Sequence, residues 1–236
     1  MPTIGSLFAG IGGLDLGFEL AGWETRWQVE LDPYARAVLE RHWPGVRRHD
    51  DVRTWPTGKA THVDCVVGGF PCQDISSANV RARTGLAGKR SGLALEFVRI
   101  VDAMRPRWVV VENSGGAWRS WVPVLRRELH TRGYPSVPLR VRAADVGAPH
   151  GRDRVFIVAD SHGDGQRLRE VHAQVARLCT HARRLRSEWR SAVLERVGDD
   201  DGLSGRMASA LGNAVVPQVA YVVGCVVARV LREVFA

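Results

Sequence analysis

The sequence predicts an α/β fold, and three observations carry that expectation. Short apolar runs such as Cys65–Val67 and Val109–Val111 alternate along the chain with stretches of helical periodicity. A glycine-rich turn separates the first apolar run from the first helical stretch. The chain has 236 residues, 45% hydrophobic and 25% charged, which suits one large domain, or one domain carrying a small second lobe.

The elements follow in order. "TIGSLFAGIGG" is a short strand, a glycine turn and the start of a helix near Leu14. "WETRWQVELD" is a second strand ending near Glu30. "PYARAVLERHW" is a helix with Pro33 in its first turn, where a missing N–H costs nothing. "VDCVVGGF" is a buried strand, "GLALEFVRIVDAM" a helix and "RWVVVEN" another apolar strand. "WVPVLRRELHTRGY" is a helix closed by Gly133. "SVPLRVRAADVG" and "RVFIVAD" complete the strands.

After Asp160 the texture changes. "DSHGDGQ" is a polar linker, and apolar residues then recur at helical spacing from Leu168 to Val197. "GDDDGLSG" is a second loop. Residues 160–203 therefore form a candidate small lobe, set between 1–159 and 204–236. This segment holds eight arginines and eight acidic residues, so the excess positive charge lies elsewhere. "LGNAVVPQVAYVVGCVVARVL" is a turn and an apolar helix.

The formal charge is +8 and the isoelectric point about 10.1. Such a balance favours a polyanionic partner, nucleic acid first. The basic residues are almost all arginine, which bonds phosphates and base edges bidentately. Four cysteines without a CxxC pair predict a reduced, intracellular, cytoplasmic setting. "MPTIGSLFAG" does not read as a signal peptide, and Val215–Val230 reads as too interrupted to span a membrane. The histidine spacings suit no common zinc pattern, so no metal is expected.

Several strand ends carry chemistry. The turn Phe8-Ala9-Gly10-Ile11-Gly12-Gly13 lets a ligand approach the backbone and aims N–H groups at it. Glu30 ends the next strand, where an acid either accepts from ribose hydroxyls or is simply solvated. Together the two suggest an adenosine-bearing cofactor. In "VVGGFPCQDIS", Cys72 follows a strand end and precedes Arg81, Arg83, Lys89 and Arg90, cations that favour a thiolate. The plainer reading is a small packed residue. "VVVEN" puts Glu112 and Asn113 at another strand end, where a pocketed carboxyl of raised pKa could act as an acid. Arg152 and Arg154 in "HGRDR" fall on one face of an extended segment.

"LFAGIGG", "VELD", "GGFPCQDIS", "VVVEN", "APHGRDRVF" and "ALGNAVVPQVA" stand in the order found in the cytosine-C5 DNA methyltransferases, and the chain resembles that family everywhere except about 160–203. The resemblance implies a Rossmann-like methyltransferase sheet with helices on both faces. It implies S-adenosyl-L-methionine as cofactor, held by Phe8, Ala9, Gly10, Ile11 and Gly13 at its methionine end. Glu30 would hold the ribose, Asp51 and Val52 would meet the adenine, and Pro71, Leu93 and Asn213 would close the pocket. Cys72 would add to C6 of a cytosine flipped out of double-stranded DNA. Glu112 would hold N3, Arg154 the base carbonyl, and Arg152 the adjoining site or a phosphate. Gln73, Ser76, Ser77, Arg83 and Asn113 would contact the substrate.

Three departures accompany the resemblance. "ENS" followed by Gly115-Gly116 stands where the family has "ENV". His150-Gly151 replace two residues before Arg152. The target-recognition region is reduced to 160–203. The leading expectation is a monomeric DNA cytosine-C5 methyltransferase of a phage or restriction–modification setting, with a partner subunit for recognition left open. Two competing readings are a DNA-binding homologue impaired in turnover and a tRNA cytosine-C5 methyltransferase. Methyl transfer separates the first from the leading expectation, and tRNA against duplex DNA separates the second.

Overall fold

The computed structural model describes residues 1–55, 62–71, 92–148, 150–163, 165–182 and 215–232. Seven strands form one sheet. They are β1 (Thr3–Leu7), β2 (Glu24–Val29), β3 (Arg47–His49), β4 (Cys65–Gly68), β5 (Trp108–Ser114), β6 (Ser136–Arg142) and β7 (Asp153–Asp160). The described helices are α1 (Gly13–Leu20), α2 (Pro33–His42), α3 (Gly92–Met104), α4 (Trp118–His130), α5 (Gly165–Ala182) and α6 (Pro217–Arg232). The strand order is β3-β2-β1-β4-β5-β7-β6. The first five are mutually parallel, and β7 runs antiparallel to both β5 and β6.

Alternation along the apolar strands explains their continuous hydrophobicity. In β5, Val109 and Val111 enter one core with Phe97, Trp121, Leu125 and Leu129 from α3 and α4. Trp108 and Val110 point the other way, among Phe18, Val171, Val223 and Val227 of α1, α5 and α6. Both faces are covered, so each position must be apolar. Full burial of one such side chain contributes about 1.5–3 kcal/mol.

Local signals set the ends. Asp32 caps α2, accepting from the N–H groups of Tyr34 and Ala35, with Pro33 behind it. The turn after α4 closes through Gly133, at φ 82°, whose N–H donates to His130 O. Pro138 lies in β6, an edge strand, where its missing donor is tolerated.

The structure adds to the sequence reading in three places. Strand β3 is polar and pairs only with β2, so it shows no hydrophobic pattern. Helix α4 begins at Trp118 rather than Trp121, which places Pro123 inside it. Within the segment 160–203, α5 buries Leu168, Val171 and Val175, and Val171 and Val175 join the main core.

The last described helix closes one face through a glycine contact. A Cβ at Gly17 of α1 would collide with the Ala220 methyl and sit 2.5 Å from Pro217 O. Trp23 Nε1 donates to Gly224 O at 2.9 Å across the same junction. Gly17→Ala is therefore expected to lower the unfolding free energy by about 1–3 kcal/mol, as for other overpacked cores. Chemical denaturation checks this, and an unchanged midpoint would contradict the packing described.

Candidate active site

Three adjacent strand ends form the first half of the site. Phe8 follows β1 with φ 54°, an uncommon backbone for a non-glycine residue. Gly10, at φ 57°, and Gly12, at φ 86°, continue the turn, and a Cβ at Gly10 would meet nothing within 4 Å. The Ala9 N–H donates to Val29 O, joining the turn to the end of β2. Glu30 lies alongside. Its Oε2 accepts from the Gly10 N–H at 2.7 Å and its Oε1 from the Asp32 N–H at 2.9 Å. The Glu30 N–H donates to His49 O, which brings β3 and Asp51 to the same rim. An open glycine turn beside a fixed carboxylate fits the polar end and ribose of an adenosine cofactor.

Asp51 caps a 3-10 turn, Val52–Thr54, and is ion-paired with Arg53. Hydrogen bonding to Arg53 holds its carboxyl below the usual carboxylate range. Val52 is buried, and its carbonyl accepts from Arg99 Nη2. Leu93 is half-buried and packs on the same core.

The second half is built around Glu112. It lies in β5 opposite Phe156 of β7, while Ser114 pairs with Arg154. The antiparallel course of β7 thus delivers Arg152 and Arg154 to the carboxyl end of β5. Arg154 Nε lies 2.6 Å from Glu112 Oε1, with Glu112 buried and Arg154 half-buried. That contact is a charge contact rather than an aligned hydrogen bond, because Oε1 has no hydrogen-bond partner. Arg152 Nε is likewise buried and unpartnered.

Burial raises the Glu112 pKa to about 7, and the Arg154 and Arg152 charges oppose that rise. Burial, then the charge of Arg154, lowers the Arg152 pKa from its ordinary value. The site therefore holds a carboxyl that can be neutral near neutrality, beside two cations.

Gly69 sits against this carboxyl: a Cβ there would approach Glu112 Oε2 to 2.7 Å. Phe70 meets the Trp121 ring edge-on, with centroids 5.8 Å apart. The Asn113 amide Nδ2 donates to Phe70 O at 2.9 Å, and its Oδ1 accepts from the Ser114 N–H. Asn113, expected at the substrate, thus spends its side chain on the main chain that leads into Pro71. Pro71 is exposed. Cys72, Gln73, Ser76, Ser77, Arg83 and Asn213 lie outside the described residues.

The sequence reading missed the outer braces. Arg140 holds the Asp153 carboxylate through Nε and Nη2, fixing the start of β7 between Arg152 and Arg154. A Cβ at Gly115 would strike that carboxylate, which accounts for glycine after "ENS". The alternation that aligned Arg152 with Arg154 also put Asp153 on the opposite face, and that signal was available. Among the described residues no cluster of His, Cys, Asp and Glu could hold a metal ion, and no helix is long and apolar enough to cross a membrane.

The glycine turn, Glu30 and the carboxyl flanked by arginines all stand at one rim of the α/β sheet. Over residues 3–186 the chain matches the family model of the C-5 cytosine-specific DNA methylases, and it belongs to that family. It is 35% identical over 170 residues to the type II methyltransferase M2.BsuMI of Bacillus subtilis (strain 168), covering 67% of this chain and 42% of that protein. It is 32% identical over 179 residues to the type II methyltransferase M.AquIA of Picosynechococcus sp., covering 67% of this chain and 71% of that one. The chain thus spans less than half the length of M2.BsuMI. Among solved structures, the Entamoeba histolytica methyltransferase EhMeth shares the fold, with a TM-score of 0.70 at 12% identity over 99% of each chain.

A carboxyl raised to about 7 makes a pH prediction. Between the ordinary value of 4.5 and about 7, the folded protein holds a proton that the unfolded chain has released. The stability of the native sequence should therefore fall, relative to Glu112→Gln, as pH rises across that window. Carbon-13 NMR should show one glutamate carboxyl titrating near 7 that is missing in Glu112→Gln. A midpoint in the usual carboxylate range would contradict the buried environment.

Proposed function

We propose that this protein is a DNA cytosine-C5 methyltransferase that uses S-adenosyl-L-methionine. The observation that carries the reading is the buried Glu112 carboxyl beside Arg154, with its Oε1 and the nearby Arg152 Nε both unpartnered. This donor set suits one edge of a pyrimidine ring. A neutral carboxyl can donate to N3, and a guanidinium can donate to the neighbouring carbonyl.

The proposed chemistry follows from the ring. C5 of cytosine is a poor nucleophile while the ring is aromatic. The Cys72 thiolate adds to C6, forming an S–C6 bond and shifting the C5–C6 electron pair to C5. The charge that develops on the ring is offset by Glu112 at N3 and Arg154 at the carbonyl. When bound, S-adenosyl-L-methionine supplies the electrophilic methyl group that C5 receives. Loss of the C5 proton to a base, followed by breakage of the S–C6 bond, restores the C5–C6 double bond and the free thiolate. C5 is unreachable in a stacked duplex, so the base is flipped out. Asn113 and Gly69 act as positioning residues, because one holds the main chain before Cys72 and the other leaves room for the carboxyl.

The cofactor is assigned to the open turn at Phe8, Ala9, Gly10, Ile11 and Gly13, with Glu30 at the ribose and Asp51, Val52, Pro71, Leu93 and Asn213 around the rest. Gln73, Ser76, Ser77 and Arg83 are assigned to the DNA. Target recognition is assigned to 160–203, whose first helix also serves the core. The substrate partner is double-stranded DNA.

The test is transfer of a radiolabelled methyl group to duplex DNA, with the product read by bisulfite-type sequencing. 5-Methylcytosine in a defined sequence context is expected. Glu112→Gln should retain DNA binding and lower kcat by roughly 10²–10³, the usual cost of losing one such donor. DNA binding without methyl transfer on any duplex would mark a turnover-impaired homologue. Transfer to tRNA in place of DNA would change the substrate and keep the site.

A further inference from the structure

At the rim of the sheet opposite Glu112, a cleft of about 580 Å³ follows the free edge of β6. The register places it there. Ser136 pairs with Ala159, which pairs with Val109 near the start of β5, whereas Arg154 pairs with Ser114 at its end. Because β6 is an edge strand, helices from both faces of the sheet overhang it. The last turns of α4 supply Arg126, Arg127 and His130 on one side, and the second turn of α5 supplies Arg169 on the other. Pro135, Val137 and Leu168 form an apolar floor.

Among the described residues no carboxylate lines the cleft. Neighbouring acids on the same helices are engaged elsewhere: Glu128 pairs with Arg132 at 3.0 Å, and Glu170 accepts from the Gln174 amide. Arg126 is fixed, donating from Nη2 to Ser136 O at 2.8 Å and from Nε to Ser136 Oγ at 3.2 Å, with Nη1 left over. Arg127 is exposed, and its contact with Glu128 is long, at 3.8 Å. Arg169 is exposed and has no hydrogen bond or ion pair among the described residues. The wall of the cleft is mainly apolar, with the exposed Arg127 and Arg169 beside it and Glu128 only in long contact with Arg127, so the basic excess around the concavity concentrates a positive potential. Arginine forks match the geometry of phosphate oxygens.

We propose that this cleft is a phosphate-binding site separate from the active site, and that it takes a phosphodiester of nucleic acid. The net charge of +8 fits an extended polyanion better than a single small anion. The site needs no catalysis, so it can be tested whether or not the protein methylates DNA.

The probe is a cytosine-free A·T duplex, with affinity measured against salt concentration. The variant Arg127→Gln/Arg169→Gln removes two donors that support no described core contact. Arg26→Gln/Arg41→Gln, remote from the cleft, is the charge-matched control. Each phosphate contact contributes about 0.9 to the slope of log affinity against log salt. The cleft variant should therefore flatten the slope by roughly 2, and the control should leave it near the native value. In parallel, deoxyadenosine monophosphate and inorganic phosphate are titrated while the amide resonances of Ser136, Val137 and Gly165 are followed by NMR. An unchanged duplex slope, with amide shifts that the cleft variant abolishes, would keep the phosphate site and assign it to free nucleotide or phosphate. Equal slope changes in both variants without amide shifts, or no change in either measurement, would overturn the proposal.

Discussion

The structure depends on one reversal of strand direction. β7 enters between β5 and β6 against the direction of both, so its first residues meet the last residues of β5. Had β7 run parallel, Arg152 and Arg154 would stand at the opposite rim. The reversal instead sets two guanidiniums beside a carboxyl already buried by the sheet. An isolated charge in that place would be costly, so Glu112 either keeps its proton or leans on Arg154. That balance keeps a carboxyl ready to donate a hydrogen bond near neutral pH.

The same rim gathers the other parts because parallel strands end together. β1, β2, β4 and β5 deliver the glycine turn, Glu30, Gly69 and Glu112 to one side of the sheet. The supporting contacts are rigid and local. Asn113 holds Phe70, Phe70 rests on Trp121, and Arg140 clamps Asp153 between Arg152 and Arg154. The main chain around the carboxyl and the guanidiniums is thus held by local partners, and such preorganised surroundings favour electrostatic stabilisation.

Much of this was legible in the sequence because it is local. An apolar run that stops at Glu30 or Glu112 marks a strand end, and the glycines after Phe8 mark a turn. Alternation alone put Arg152 and Arg154 on one face. Features that depend on distant partners were not legible. β3 is three polar residues that exist as a strand only because β2 offers its edge. The duties of Asn113 and Arg140 come from residues more than ten positions away. The burial of α5 depends on the face left open beside β6 and α6, and the cleft at the edge of β6 requires two helices from opposite faces.

The central claim is that this rim presents a cytosine to the Cys72 sulfur. Fluorine at C5 cannot depart as a proton does, so a cytosine attacked at C6 and methylated at C5 stays bonded to the enzyme. The most direct measurement is denaturing electrophoresis and mass spectrometry after incubation with S-adenosyl-L-methionine and a duplex carrying 5-fluorocytosine in the methylated context. The account predicts a covalent protein–DNA adduct on the peptide containing Cys72, and none with Cys72→Ala. An adduct that survives that substitution, or methyl transfer by the Cys72→Ala protein, would contradict it.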